Sequence, residues 1–417
     1  MVRRRSLLVA AVLIATGCTS TPELSGADGQ VELVWATGAI TADSGAASVT
    51  ELWNELHPEG PHVRVEKLPP AADDQHDLMA VELNARISEF DILDVDLVWT
   101  SEFAESGWLV DLEDIRTEIE QVSLDGPVQS AVWDGRLWAA PFTTDVGLLY
   151  YRKDLVEKPP ATWKELADLG FQLGPPMGIA PFVADGMRHE GLVVQYLEYL
   201  WGAGGDIFDP TCETVLFQEE PARRAAEFMR TAYHTGFYAP GFDVIGLEQA
   251  REVFQAGQAV FLRSWPYAYR LMNGGDKTSR VAGKIGIAPL PTFDGQGAAA
   301  GLGGHNLAVS RFSPHIDAAK DFVLFVSTSP EVQRMLAQRH SLAPTMTSVY
   351  DELADDPLMA ELKRVLPQAR PRPLTPEWAS ISEEIQQQIF ATYTGNKDPA
   401  AAVAAIRKFL NATGARC

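Results

Sequence analysis

A small set of side chains in this sequence combines charge, a stiffened backbone and wide apolar surface in ways that could bind or pair. Asp96 stands inside an apolar run, residues 90–99, where a carboxylate must find a partner or sit at a strand end. It can accept ligand hydroxyls, or it can pair with a nearby arginine. Arg372 lies between Pro371 and Pro373, which stiffen the backbone behind a guanidinium fork able to span two neighbouring hydroxyls. Trp265 is followed by Pro266 and offers a wide apolar face with one N–H donor, although a core position would also suit it. Tyr267 and Trp378 each have a binding reading and a packing reading. Gly303 and Gly304 precede the strand-like HNLAVS, residues 305–310, and can let the backbone approach a ligand closely.

Carboxylates also raise the possibility of catalysis. Glycoside hydrolysis needs two opposed carboxyl groups, and Asp96, Asp145 and Glu190 can in principle supply them. Other chemistries lack support. The sequence has no GxxxxGK[ST], HExxH or GxSxG pattern, and its glycine pairs at 204/205, 274/275 and 303/304 form no dinucleotide fingerprint. His189 and Glu190 lack the second histidine of a zincin, and no CxxC or Cys/His cluster suggests a structural zinc. Neither a cofactor nor a metal is therefore expected.

Covalent chemistry of another kind is written at the amino terminus. Arg3, Arg4 and Arg5 precede an apolar run over residues 7–15, which ends in Ala15, Thr16, Gly17 and Cys18. A basic head, a short apolar core and small residues make a secretory signal. The cysteine after small residues matches a bacterial lipobox, in which the thiol of Cys18 is diacylated and becomes the mature terminus. An N-terminal transmembrane anchor is the alternative, but the run falls short of the ~20 residues needed to span a bilayer. Acyl chains on Cys18 would anchor the protein, at about 0.8 kcal/mol per buried CH₂. With Cys18 acylated, Cys212 and Cys417 remain as the one possible intrachain disulfide.

The elements that must position these residues follow from composition and periodicity. A chain of 417 residues with 46% hydrophobic side chains is long enough for two or three cored units. The net charge of −22 repels nucleic acid and anionic head groups. Residues 1–18 read as the signal and 19–29 as a small, polar tether. Strand-like VELVWA (31–36), a small and polar segment (37–48), a helical pattern through Val49, Leu52 and Leu56, and strand-like VRVEKL (63–68) begin an alternation of strands and helices. That alternation indicates an α/β fold with a mostly parallel sheet. Further on, Thr162 and Glu165 form a capping box with Gly170 as the expected stop, residues 190–201 read as a long helix, and Asp398 with Pro399 opens another. Trp35, Trp99, Trp108 and Trp163 are expected in the core.

The stretches DVDLVWTSEFAESGWLVDLE (94–113), WAAPFTTDVGLLYYRKDL (138–155), PPATWKEL (159–166) and GQAVFLRSWPYAY (257–269) resemble the extracellular solute-binding proteins of carbohydrate ABC importers. EGLVVQYLEYLWGAGG (190–205) and RPLTPEWASIS (372–382) resemble their trehalose/maltose-binding branch. The resemblance extends over nearly everything after residue 30. It implies a two-lobed clamp of the type II periplasmic-binding-protein kind, each lobe a doubly wound mixed sheet with flanking helices, closing over ligand in the cleft. Crossings near Pro141, near residues 289–291 and near 342–345 would divide the chain into 30–141 with 290–342 as lobe 1, and 142–289 with 343–417 as lobe 2.

Such a protein is no enzyme. It would be a monomer held outside the cell by its lipid, capturing an α-linked glucose disaccharide, trehalose or maltose, for two permease subunits with a separate ATPase. A secreted carbohydrate-active enzyme or a sugar-sensing ectodomain is the alternative. The ligand set implied is Asp96, Asp145, Glu190, Trp265, Tyr267, Gly304, Arg372 and Trp378, since charged partners strengthen bonds to hydroxyls and an indole can stack on a sugar face. Asp145 is included because it follows the first crossing, although some similar sequences carry Asn there. Glu190 is included because it matches a motif position, its plain reading being a helix N-terminal charge. His305 departs from the apolar or aromatic residue of similar sequences, Glu198 is expected in solvent, and Tyr199 in the core.

Overall fold

A computed structural model describes residues 31–209, 211, 213–274 and 278–417. The signal with Cys18, the tether and Cys212 lie outside the described residues. Twelve strands occur among those described. They are β1 (Glu32–Gly38), β2 (His62–Leu68), β3 (Ile92–Asp96), β4 (Val132–Trp133), β5 (Arg136–Leu137), β6 (Ala139–Val146), β7 (Leu148–Arg152), β8 (Ala180–Val183), β9 (Ala259–Ser264), β10 (Ile285–Pro289), β11 (Gly301–Val309) and β12 (Arg370–Pro371). They make two principal sheets, one of β2, β1, β3, β11, β6 and β12 and one in the order β10-β7-β9-β8, with β4 and β5 forming a separate hairpin.

The first sheet is mixed. β1 runs parallel to β2 and β3, and it is buried along nearly its whole length, as a strand covered on both faces must be. β11 is the strand on which the site is built. On one edge β6 pairs antiparallel with residues 302–308 of β11. A strand has only two edges, so β3 and β12 must share the other one. β3 arrives antiparallel and ends with Asp96 opposite His305, while β12 arrives parallel and ends with Pro371 opposite Leu302. The two strand ends therefore face one another across Gly303 and Gly304, which brings Asp96 and Arg372 together although 276 residues separate them.

In the second sheet β7 is antiparallel to β10 and β9, and β8 is parallel to β9. Helix Glu190–Gly202 packs beside Glu219–Thr235 and Trp378–Tyr393, and almost every residue in it is buried. Its sequence is largely apolar because it has almost no solvent face. Trp35, Trp99 and Trp163 are buried, whereas Trp108 is only half-buried. No helix among the described residues is long and apolar enough to cross a membrane, and no group of potential metal ligands occurs among them. Cys417 is disulfide-bonded.

Several local expectations meet a different outcome. The chain changes sheets between Val146 and Leu148 rather than at Pro141, because β6 continues through the proline. Pro141 can sit there because β11 is the only named strand paired with β6, whose other edge has a single bridge, at Thr144, and because the register shifts beside the proline, at His305/Asn306. The return passage also comes later than residues 289–291: Thr292 still bridges Thr162, and the first sheet resumes at Gly301. Past residue 342 the chain does not stay with the second sheet. Ala343 bridges Thr144, Met346 bridges Ser123, and β12 rejoins β11. The small and polar segment 37–48 holds the end of β1 and the start of helical turns that run continuously from Ala39 to Leu56, with one π stretch at Ala42–Ala46. Gly170 does not stop its helix, which extends over Trp163–Leu173. Its missing side chain makes room for Pro181, whose Cβ would lie 2.8 Å from a Cβ at residue 170. The Thr162/Glu165 capping box and the Asp398 cap form as expected.

Candidate functional site

A cleft with a cavity volume of about 170 Å³ opens between the two sheets. The first sheet supplies its floor through Asp96, Gly303, Gly304 and His305, joined by Thr143 and Asp145 from β6. Glu190, at the head of its helix, and Trp265 and Tyr267, just beyond β9, form the opposite wall. Arg372 enters directly after β12.

The centre of the cleft is an ion-pair relay. Arg372 donates through Nη2 to Asp96 Oδ1 and through Nη1 to Glu190 Oε1, both at 2.6 Å, and only 3% of it is exposed. Glu190 is held from behind as well: Trp378 Nε1 donates to Oε1 at 3.1 Å, and Ser382 Oγ donates to Oε2. Asp73, on helix Ala72–Asn84, accepts from the Glu190 backbone N–H at 3.3 Å and from Gln386 Nε2 at 3.0 Å. A carboxylate at this helix N-terminus also suits the helix dipole. Burial raises the pKa of Glu190, and the neighbouring Arg372 charge opposes that shift.

Trp265 is positioned by a second buried pair. Arg263 lies over its ring at 4.0 Å, a cation–π contact, and makes a two-point salt bridge to Glu198 at 2.9 and 2.6 Å. Glu198 also accepts from the Gly301 backbone N–H at 3.2 Å. The expectation that Glu198 faces solvent is therefore wrong: it is 1% exposed, because the helix carrying it is buried all round and Arg263 neutralises it there. Tyr150 Oη fixes the Trp265 carbonyl at 2.9 Å. A Cβ at residue 303 would lie 3.0 Å from the indole, so glycine there lets Trp265 rest against β11. The ring remains partly exposed to the cleft.

The acidic floor carries perturbed protonation equilibria. Burial lifts the Asp145 carboxyl to about 7; His305 and Arg263 pull it down, and Asp96 adds to the rise. Asp145 Oδ1 is buried and has no hydrogen-bond partner among the described residues. His305 Nδ1 lies 2.9 Å from Asp94 Oδ1. Burial opposes its charge, but Asp94, with Asp96 and Asp145, outweighs that and holds the imidazole at about 9. The Nε of Arg372 and the Nδ1 of His189 are likewise buried without a partner. Unsatisfied polar groups of this kind suit ligand hydroxyls, which can both donate and accept.

Seven of the eight residues expected in the site line this cleft: Asp96, Asp145, Glu190, Trp265, Tyr267, Gly304 and Arg372. Trp378 does not. It is 1% exposed and stands behind Glu190 as a supporting donor. Asp96 faces the cleft and pairs with an arginine. Tyr267 donates to Glu248 and is mostly buried. Gly304 has φ +125°, and a Cβ there would come within 2.4 Å of the Thr143 carbonyl oxygen, so the close packing of β6 accounts for the glycine. Sequence reasoning missed Asp94, Asp185 and His189. Asp94 stands two residues before Asp96, the period that puts both on one face of a strand. His189 Nε2 contacts Asp185 Oδ1 at 2.7 Å across an i,i+4 spacing.

Comparison with known proteins yields consistent matches. A family model described as bacterial extracellular solute-binding protein matches residues 53–361. A probable ABC transporter-binding protein of Deinococcus radiodurans is 32% identical over 362 residues, covering 82% of this chain and 84% of that protein. The maltose-bound MalE3 structure of T. maritima superposes with a TM-score of 0.86 at 34% identity, covering 91% of this chain and 99% of that one. A Thermotoga lettingae solute-binding protein with bound alpha-D-tagatose gives a TM-score of 0.83 at 24% identity, covering 92% and 99% of the two chains. The fold is accordingly the two-lobed type II clamp.

The two tryptophans should respond differently to truncation. Trp378→Ala removes a fully buried indole and should cost about 3–5 kcal/mol of folding stability. Trp265→Ala should cost markedly less, because one part of its ring already meets solvent. Chemical denaturation without ligand measures both, and equal losses would contradict this placement.

Proposed function

The chain belongs to the bacterial extracellular solute-binding protein family, and from that premise we propose that it is a lipoprotein capturing an α-linked glucose disaccharide, trehalose or maltose, in the cleft between its sheets. Its broader role is that of the extracytoplasmic substrate-binding protein of an ABC sugar importer. The observation that carries the finer reading is the Asp96–Arg372–Glu190 relay facing Trp265 across the cleft. Vicinal hydroxyls can bond to the charged groups, while a pyranose face covers the indole. Similarity to a maltose-bound structure at 34% identity supports an α-glucoside.

In this reading Asp145, Tyr267 and Gly304 complete the contacts, and Trp378 acts only by holding Glu190. The first lobe is built on the sheet containing β11, and the second on the sheet containing β9, with the protein working as a monomer. Capture without turnover fits the state of Glu190, whose two oxygens already accept from Arg372, Trp378 and Ser382 and so are poorly placed for proton transfer. Diacylation of Cys18 would tether the protein beside the permease pair and its ATPase. Cys212 would then be the partner of Cys417.

Calorimetry with a panel of sugars tests the reading. Heat is expected with trehalose or maltose, without release of glucose. No binding to any α-glucoside would remove the specificity, and glucose release would turn the reading towards an enzyme. Affinity should also rise by up to about ten-fold from pH 6 to pH 8, as Asp145 ionises near 7 and becomes a stronger acceptor for hydroxyls. His305 stays protonated through that window. Asp145→Asn should flatten the profile, and an unchanged profile would exclude Asp145 from the contacts.

Anchoring is tested separately. Cys18→Ser should give an exported protein that washes off cells. Native membrane-bound protein whose Cys18 is found unmodified by mass spectrometry would contradict the lipid anchor.

A further inference from the structure

A second chamber lies on the other side of Tyr267 from the main cleft. Ile40, Pro70 and Tyr267 also border this second chamber, of about 340 Å³, so the two spaces adjoin at these residues. The second chamber differs in charge. Its two carboxylates are already compensated: Asp43 pairs with Lys67, and Glu248 accepts from Tyr267 and from Arg251 at 3.1 and 2.8 Å. Arg270 and Arg339 also line it, both exposed, and neither has a carboxylate partner among the described residues. Both guanidiniums act on His340, which adjoins them and contacts Ser48 Oγ at 2.9 Å. Burial, then these two charges, push the His340 pKa down. With its two carboxylates compensated, this space keeps the charge of two arginines, on a chain whose net charge is −22.

We infer that this chamber receives an anionic group, a phosphate or a carboxylate, carried on the end of the glycoside held in the main cleft. Two guanidinium forks match the oxygens of either group. Tyr267 stands at the junction, where its ring borders both spaces. The inference rests on the glycoside reading of the main cleft and narrows its substrate class to sugars with an acidic substituent.

Calorimetry on the purified protein at low and moderate salt compares trehalose, trehalose 6-phosphate and inorganic phosphate, in the wild type and in the Arg270→Ala/Arg339→Ala double variant. The phosphorylated sugar should bind about ten-fold or more tightly than trehalose in the wild type. That preference should weaken with salt and vanish in the double variant, while trehalose affinity stays unchanged. Equal or weaker binding of the phosphorylated sugar overturns the inference and leaves the glycoside reading intact. A preference that survives the double substitution also overturns it. Inorganic phosphate binding as tightly as the sugar phosphate would mean a free-anion site, contrary to the inference. If only the sugar phosphate binds, through the two arginines, the chamber stands and the neutral-glucoside reading fails.

Discussion

Arg372 shares one guanidinium between two carboxylates that belong to different layers of the molecule, Asp96 at the end of β3 and Glu190 at the head of helix Glu190–Gly202. Taking three charges out of water is costly, and such a group holds together only when each member is hydrogen-bonded. The surrounding structure meets that condition. Trp378 and Ser382 bind Glu190, the Val98 backbone N–H donates to Asp96 at 3.2 Å, and the meeting of β3 and β12 on one edge of β11 fixes the distance between the partners. Removing one member of a buried pair costs about 3–5 kcal/mol, because the remaining charge stays buried without compensation. The relay therefore constrains how the two sheets sit about the cleft, and it leaves Arg372 Nε, buried and unpartnered, for a ligand.

A second buried pair does the same for the aromatic platform. Glu198 and Arg263 cancel each other inside the second lobe, and Arg263 then presses on Trp265. Both pairs set rigid groups around a floor that is itself unsatisfied, chiefly at Asp145. Preorganised donors and acceptors reduce the ordering cost of binding, so a clamp with its contacts already fixed can hold a sugar with little rearrangement inside either lobe.

Much of this was legible in the sequence. Strand and helix periods gave most of the elements, and Thr162 with Glu165 and Asp398 with Pro399 marked helix starts that the structure keeps, because capping is a local property of a few residues. What escaped was long-range. Glu198 looked like a solvent charge since nothing nearby in sequence reveals Arg263, 65 residues on. Trp378 read as a possible sugar platform because sequence shows its ring but not Glu190, which occupies its N–H from 188 residues away. Pro141 looked like a crossing because its tolerance depends on β6 being an edge strand with a register shift, and pairing partners are not written locally. Gly170 and Gly304 show the same limit: each is glycine because another backbone passes close by.

The central claim is that one guanidinium, bridging two lobes, organises the sugar cleft. Arg372→Lys tests it most directly, because lysine keeps the positive charge but lacks the planar fork that spans both carboxylates. Calorimetric titration with the disaccharide, beside a melting curve of the same protein, should show affinity reduced by about ten-fold or more while the fold is retained. Wild-type affinity in the folded Arg372→Lys protein would show that the bridge is a structural pair with no part in binding, and the account of the cleft would be wrong.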